Sequence, residues 1–449
     1  MTCAVARSYE AITLCAVKIA IVTESFLPQI NGVTGSVCRV LEQLAARGHQ
    51  ALVVAPRSGL VSRGETSLHA SRNCPESYAG APVELLPGVR LPFYSSVAVG
   101  VPTRLVTAVL RDFAPDVVHL AAPMVLGVSG LAAAERLGVP AVAVFQTDIA
   151  GFAQRYGLRG TDRAVWWWLR RLHGRADRTL VPSTPVLAEL GRRGIPRLSL
   201  WGRGVDRQRF HPSHRSAAVR AALAPDGEVV VGYVGRLAAE KRPRMLATLA
   251  GLPGTRLVLV GDGPEERRLR RMMPDAVFTG VRTGTELSRL MASLDVFVHA
   301  GVDDTFCQAI QEALACGVPV VAAAAGGPLD LVRPGVNGLL FAPDDGQGLR
   351  AAVSALVADA ELRRRLGVGA LASVEGRGWD VVCDELFGHY RQVSGGAHTA
   401  TVQHAGAAAV RHADTAAVRH AGATAVQHAD AAAVRHADAA AVQRADDAA

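Results

Sequence analysis

Lysine is almost missing from this chain. Of 48 basic residues only Lys18 and Lys241 are lysine, and asparagine occurs only at Asn31, Asn73 and Asn337. Heavy use of Ala, Arg and Gly beside that scarcity points to a GC-rich coding bias, so a lysine that survives the bias marks a position where its chemistry is wanted. Cysteine is sparse, odd in number at seven, and has no C-x-x-C pair. That excludes a disulfide framework and a cysteine zinc site, and it fits a reducing cytosol. No apolar run reaches the ~18 residues that span a bilayer. The longest candidates, such as Val318 to Ala325, have strand length. The first residues lack signal-peptide form, because Arg7 is offset by Glu10 and Lys18 breaks the apolar run from Ala11. The expected location is cytoplasmic, at most peripheral on the inner face of the plasma membrane.

What is present is 449 residues, 49% of them apolar, enough for two α/β domains with their own cores. The charge is local. Between Gly151 and Arg215 stand 14 arginines against four acids, so the whole net excess of +8 sits in one stretch beside Trp166, Trp167 and Trp168. Arginine with tryptophan suits an anionic membrane surface or a diphosphate-bearing acceptor. A solvated basic face over half-buried tryptophans accounts for the pattern equally well. Trp166, Trp167, Arg170, Arg171 and Arg203 are the candidates for an acceptor or membrane side. Nucleic acid is not an expected partner.

Strand and helix patterns alternate from Lys18 onward. Strands are expected at 18–23, 51–55, 116–120, 139–145, 179–182 and 198–201, and a second series at 229–234, 256–260, 276–279, 296–299 and 318–322. Alternation of this kind gives parallel sheets covered by helices on both faces. The first helix should carry Val37, Val40, Leu41, Leu44 and Ala45 on one stripe and stop at Gly48. Four regions follow: an N-terminal extension, 1–17, with translation expected to start at Val17; a Rossmann-like domain, 18–202; a second, 203–393; and a tail, 394–449. From Val402 the tail repeats an octapeptide six times. Eight residues leave an ~80° offset per repeat, so the valines spiral instead of forming a face. A disordered or frayed low-complexity segment is expected, and its histidines are poorly spaced for a metal.

The unusual residues collect at the carboxyl ends of the strands, where doubly wound sheets bind ligands. They are Gly32 after the first strand, Gln146 and Asp148 after 139–145, Arg203 and Gly204 after 198–201, Gly235 and Arg236 after 229–234, Gly261 after 256–260, and Asp304 after 296–299. The segment 301–322, GVDDTFCQAIQEALACGVPVVA, suggests a helix capped by Asp304 or Thr305. The N–H groups of Phe306 and Cys307 would then form an anion site, with Thr305, Gln308 and Glu312 on one face. Glu312 would lie ~10 Å along, about the reach from a nucleotide's phosphates to its ribose. An ordinary capped helix with a surface glutamate explains the segment almost as well. Arg236 and Lys241 tip the balance, as two cations placed to neutralise a departing diphosphate. G-x-G-x-x-G and Walker A sequences are absent, which argues against a dinucleotide oxidoreductase and a P-loop enzyme. His119 at the end of 116–120 is as well explained as a buried structural residue.

With these residues in hand, the stretch from Lys18 to Val393 resembles the retaining GT-B glycosyltransferases. Their E-x7-E signature is similar to Asp304 to Glu312, and their G-R-L…E-K element to Gly235-Arg236-Leu237…Glu240-Lys241. GDGP at 261–264, EALACGVPVVA at 312–322 and GRGVD at 202–206 also match. The segments TESFLPQINGVTGSV, FQTD and AAGGPLDLV resemble bacterial GDP-mannose-dependent α-mannosyltransferases acting on glycolipids. The resemblance implies two facing Rossmann-like domains and a donor nucleotide sugar, with GDP-mannose favoured. It puts Glu312 on the ribose, Asp304 on the donor sugar, Arg236 and Lys241 on the diphosphate, and Gly32 facing phosphates and acceptor. It requires no cofactor and no metal, and implies transfer to a lipid-linked hydroxyl with retention. Three positions depart from the family: Asp304 is shorter than the usual glutamate, Cys307 stands where glycine is common, and Gln146 replaces a frequent histidine. A UDP-sugar donor on the same fold is one alternative. A non-catalytic binder of sugar nucleotides or anionic lipids is another, and a hydride-transfer enzyme is a distant third.

Overall fold

The computed structural model describes residues 16–29, 31–57, 74–91, 94–100, 103–147, 151 and 162–395. The octapeptide repeats and Asp148 lie outside the described residues, as do residues 1–15. Val17 belongs to the folded chain: its carbonyl accepts from Gln50 N at 3.0 Å.

Strands form where apolar residues run on without alternation. Lys18–Thr23 is buried at five of six positions, and Val296–His299 and Val320–Ala323 at all four. Such strands need cover on both faces, which parallel sheets flanked by helices supply. In the first sheet Lys18–Thr23 is central, between Gln50–Pro56 and Val117–Ala121. Beyond Val117–Ala121 the order continues through Ala141–Val144, Arg178–Val181 and Leu198–Leu200, all parallel. In the second sheet Val229–Val234 lies between Thr255–Val260 and Val296–His299. Val277–Gly280 forms one edge, and Val320–Ala323 and then Gly338–Phe341 extend the other. The two-sheet α/β architecture expected from the sequence is therefore present.

Strands outside the expected set include Ala81–Leu86, with the short Ser77–Tyr78 beside it, and Gly338–Phe341, each missed for a local reason. Ala81–Leu86 is only intermittently buried and carries Pro82, so its pattern is weak. Gly338–Phe341 has four residues and opens on glycine. A hairpin of Gly88–Leu91 with Tyr94–Gly100 also lies outside the expected alternation.

The first helix, Gly32–Ala46, has a clear local cause. Asn31 Oδ1 accepts from Val33 N and Thr34 N, both at 3.0 Å, and Val37, Val40, Leu41 and Leu44 are buried. Gly48 follows with φ of 70°, the left-handed turn that ends the helix.

The last stretch of the expected second domain packs against the first half. The last helix, Trp379–Val393, leaves the second half and packs Val382, Cys383, Leu386, Phe387 and Tyr390 against Ile19, Ile21, Val37 and Leu41 of the first. Trp201 Nε1 donates to Val382 O at 2.8 Å, and His119 Nδ1 shares a 2.6 Å hydrogen bond with the Tyr390 hydroxyl. His119 is thus a structural residue. Burial pushes its pKa down to about 3, so it is neutral. No helix among the described residues is long and apolar enough to cross a membrane.

Replacing Tyr390 with Phe should strip a buried imidazole of its partner and cost ~1–3 kcal/mol. The expected outcome is a lower melting temperature with turnover per folded molecule unchanged; an unaltered melting temperature would mean that the bond does not hold the helix.

Candidate functional site

The carboxyl edges of the two sheets face each other. Ser183 Oγ donates to Thr305 O at 2.7 Å, Thr305 Oγ1 to Gln146 O at 3.1 Å, and Thr184 N to Asp330 Oδ2 at 2.6 Å. Beside these contacts opens a cavity of ≈ 360 Å³, lined by Phe145, Trp166 and Leu190 from the first half and by Asp303, Asp304 and Thr305 from the second.

On the second half the loops after neighbouring strands touch backbone to backbone. Gly261 has φ of 131°, and a Cβ there would stand 2.1 Å from the Gly235 carbonyl oxygen. Only glycine serves there. Leu237 N donates to Asp262 O at 2.6 Å, fixing the stretch that leads to the short turn Ala239–Lys241. From that turn the Lys241 ammonium donates to Asp304 Oδ1. The other carboxylate oxygen meets His299 Nε2 at 2.6 Å.

This cluster is buried and charged. Burial is the largest influence on Asp304 and would raise its pKa, but the hydrogen bond from His299 and the charge of Lys241 outweigh it and hold the carboxyl well below its ordinary value. Burial likewise works against a charged His299. The Cys307 sulfur and the Asp304 carboxylate overcome it and raise the imidazole to about 10, so it is an imidazolium at neutral pH. Lys241 is lowered by burial and raised more by Asp304, and it remains an ammonium. Lys241 and His299 both pair with the Asp304 carboxylate, and the Cys307 sulfur that helps keep the imidazole charged belongs to the same cluster, so cations are held here in place for a diphosphate.

His299, Asp304 and Cys307 bring possible ligand atoms within 4.8 Å of one another. A divalent cation there would displace Lys241 from Asp304 and meet its charge, so this donor set fits an ion cluster better than a metal centre.

The expected helix start needs correction. The helix is Gln308–Ala315, and its N-cap is Cys307 in the left-handed region at φ 77°, without a side-chain cap. Neither Asp304 nor Thr305 caps it, because Asp304 is drawn to Lys241 and His299 while Thr305 reaches across to Gln146. The N–H groups of Phe306 and Cys307 precede the helix and find no acceptor among the described residues. Gln308 turns away from Thr305, and its Nε2 donates to Gly204 O at 3.0 Å. Gly327 N donates to Asp304 O at 2.8 Å and closes the loop from behind.

The Glu312 carboxyl makes no hydrogen bond to any described residue. Burial raises its pKa to about 7; the charge of Arg209 works against the rise and that of Asp206 adds to it. The Nε of Arg209, Nδ1 of His299 and Oε1 of Gln308 are buried without partners among the described residues. Orphaned polar atoms gathered around one helix start are what a polar ligand would satisfy.

Not all expected residues converge. Arg236 pairs with Glu240 at 3.4 Å, and its side chain is 41% exposed. Gln146 and Gly32 meet each other through Arg203, which therefore lies in the cleft and not on a membrane face. Trp166 is buried against the cavity with Arg193 4.5 Å from its ring. Trp167 is 59% exposed, with the Arg171 guanidinium 5.9 Å from its ring centroid and Arg170 exposed beside it.

Sequence reasoning passed over His299 and Arg209. The signal for His299 was its place as the last residue of a buried strand, five before Asp304. It also passed over Glu24, whose buried carboxylate accepts from Gly100 N at 3.0 Å, Leu126 N at 2.5 Å and Gly127 N at 3.1 Å and pins the loop after the first strand.

Comparison with known proteins agrees with this geometry. Residues 30–209 match the model of Glycosyltransferase Family 4, and residues 215–371 that of Glycosyl transferases group 1. The chain is 50% identical over 383 residues to a GDP-mannose-dependent alpha-mannosyltransferase of Mycobacterium tuberculosis, covering 85% of this chain and 98% of the relative. A protein of the same description from Corynebacterium glutamicum is 46% identical, covering 84% of this chain and 89% of its own. Among solved structures, Anabaena HepE in complex with UDP superposes with a TM-score of 0.66 at 20% identity, over 84% of this chain and all of that one (100%), and shows the shared fold.

The burial of Glu312 makes a prediction about pH. The unfolded chain releases this proton near the ordinary value of 4.5, whereas the folded one keeps it to about 7. Stability is therefore lost as pH rises from 4.5 to about 7, and the loss stays constant above. Glu312→Gln should melt higher than the parent at pH 8 and equally at pH 4.5. Thermal melts at both values check this, and a lower melt at pH 8 would show an ionised, well-partnered carboxylate instead.

Proposed function

The chain belongs to the glycosyltransferases that join a family 4 half to a group 1 half, and from that premise we propose that it transfers mannose from GDP-mannose to a glycolipid hydroxyl with retention. The observation that carries the donor is the 50% identity, over 85% of the chain, to a GDP-mannose-dependent alpha-mannosyltransferase.

The second half holds the donor. Arg236, Lys241 and the N–H groups at Phe306 and Cys307 receive the diphosphate, with Gly235 and Gly261 allowing its close approach. Glu312 accepts from the ribose hydroxyls, beside Gln308. Asp304 and Gln146 touch the mannose, and Asp148 and Gly32 complete the first half's side of the cleft. In the reaction the bond from the anomeric carbon to the phosphate oxygen breaks, and a bond to the acceptor oxygen forms on the same face. The hydroxyl proton passes to the departing phosphate. Charge grows on that phosphate in the transition state, where the Lys241 ammonium and the Arg236 guanidinium act. No organic cofactor or metal enters these steps.

The acceptor approaches from the first half, along the cavity by Trp166. On the helix Asp162–Arg175, Arg163, Trp167, Arg170 and Arg171 share an outer face by their spacing and are exposed. An amphipathic ring with guanidinium groups around it suits the interface of an anionic membrane, where a glycolipid acceptor resides. On this reading the protein works at the cytoplasmic face as a peripheral enzyme.

Calorimetry with GDP-mannose, GDP and UDP-sugars tests the donor. GDP-mannose should bind, more weakly in Glu312→Ala and in the parent below pH 7, where Glu312 is protonated. Preference for a UDP-sugar would discard the mannose reading and keep the enzyme class. Lys241→Ala should lower turnover ~10²–10³-fold with GDP-mannose still bound; near-normal turnover would remove Lys241 from the mechanism.

A further inference from the structure

Arg203 is a cation without an acid. Its Nη1 donates to Gly32 O at 2.7 Å and its Nη2 to Gln146 Oε1 at 2.5 Å, and it forms no ion pair with any described residue. Both partners are neutral oxygens of the first half, one at the start of the helix Gly32–Ala46 and the other just after the strand Ala141–Val144. Its main chain is fastened elsewhere. Gln311 Nε2 donates to Arg203 O at 2.8 Å, and Gln308 Nε2 to Gly204 O at 3.0 Å. These glutamines belong to the helix Gln308–Ala315, which also carries Glu312. Gly204 is wedged against Trp379, where a Cβ would come within 2.6 Å of the ring, so the segment has little freedom to slide. Three residues on, Arg39 of the helix Gly32–Ala46 binds Asp206 Oδ2 at 2.8 Å. The segment 203–206 is therefore a strap with its backbone tied to the second half and its side chains tied to the start and middle of one helix in the first.

We infer that Arg203 is a positioning residue through which occupancy of the second half by the donor nucleotide sets the Gly32 loop. This rests on the reading that the nucleotide lies along the helix Gln308–Ala315. A planar guanidinium holds two acceptors at once in a fixed fork, which an ammonium cannot do. A ligand that orders Gln308 and Glu312 orders the carbonyls of Arg203 and Gly204 with them, and the fork carries that order to Gly32 and Gln146. Coupling of this kind is reciprocal, so an acceptor that orders the Gly32 loop tightens the nucleotide by the same factor.

Amide hydrogen exchange of the full chain with and without GDP tests the inference, beside calorimetric GDP affinity and thermal melts of the parent, Arg203→Lys and Arg203→Met. GDP should slow exchange at residues 33–37 by ~10-fold in the parent, within the usual range of coupling between sites. Both variants should bind GDP and lose that protection; Arg203→Lys retains the charge and so separates the fork from simple electrostatics. Protection at the parent's level in either variant overturns the inference. Loss of GDP binding in a variant that melts normally also overturns it, since Arg203 would then be a nucleotide ligand. If the parent binds UDP and not GDP, the mannose reading falls and the comparison is made with UDP; binding of neither removes both.

Discussion

The site depends on one buried carboxylate held between two cations. Asp304 lies between Lys241 and His299 in surroundings that penalise every charge brought into them. Removing the Asp304 carboxylate would leave two buried cations without their partner, and such a vacancy costs far more than the intact group contributes. Burial alone would favour a protonated Asp304 and a neutral His299, and mutual pairing reverses both. The carboxylate thus fixes two cations in place, with Lys241 the more exposed of them. An enzyme that must stabilise a departing diphosphate needs that charge present before the substrate arrives.

Geometry around the cluster follows from close backbone packing. The loops after Val229–Val234 and Thr255–Val260 can meet because Gly261 has no side chain. Gly327 reaches the Asp304 carbonyl from behind. Contacts across the cleft are mostly neutral and polar: Ser183 to Thr305, Thr305 to Gln146, Arg203 to Gly32 and Gln146. Bonds of that type are remade at modest cost, as a cleft that admits donor and acceptor requires. The strap 203–206 gives these contacts a direction, since one residue touches helices on both sides.

Much of this was legible in the sequence. Unbroken apolar runs such as Lys18–Thr23 marked the parallel strands, and Asn31 and Gly48 marked the ends of the first helix. Lys241 stood out through scarcity, and it is the residue that meets Asp304. The weak strand Ala81–Leu86 was hidden because one of its faces is only partly covered. The helix start was misjudged because Asp304 and Thr305 have the composition of caps while the tertiary structure uses them elsewhere. Arg203 was read both as a residue at the carboxyl end of the strand 198–201 and as a candidate for the acceptor or membrane side, and the sequence could not choose between them. Its hydrogen bonds to Gly32 O and Gln146 Oε1, residues remote in sequence, put its side chain in the cleft.

By itself the sequence determined the strand–helix alternation, the two-sheet architecture and the cations and acids that gather at strand ends. These follow from local periodicity and from side-chain chemistry carried within a few residues. The tertiary structure alone decided which of those groups meet. Lys241 and Asp304 are 63 positions apart, and Arg203 and Gly32 are 171. It also decided that the last helix would return to the first sheet, where the apolar face of Ile19, Ile21 and Val37 needs cover. Burial, which sets the charge state of His299 and holds the proton on Glu312, depends on all the chain that surrounds them, and no local pattern encodes it.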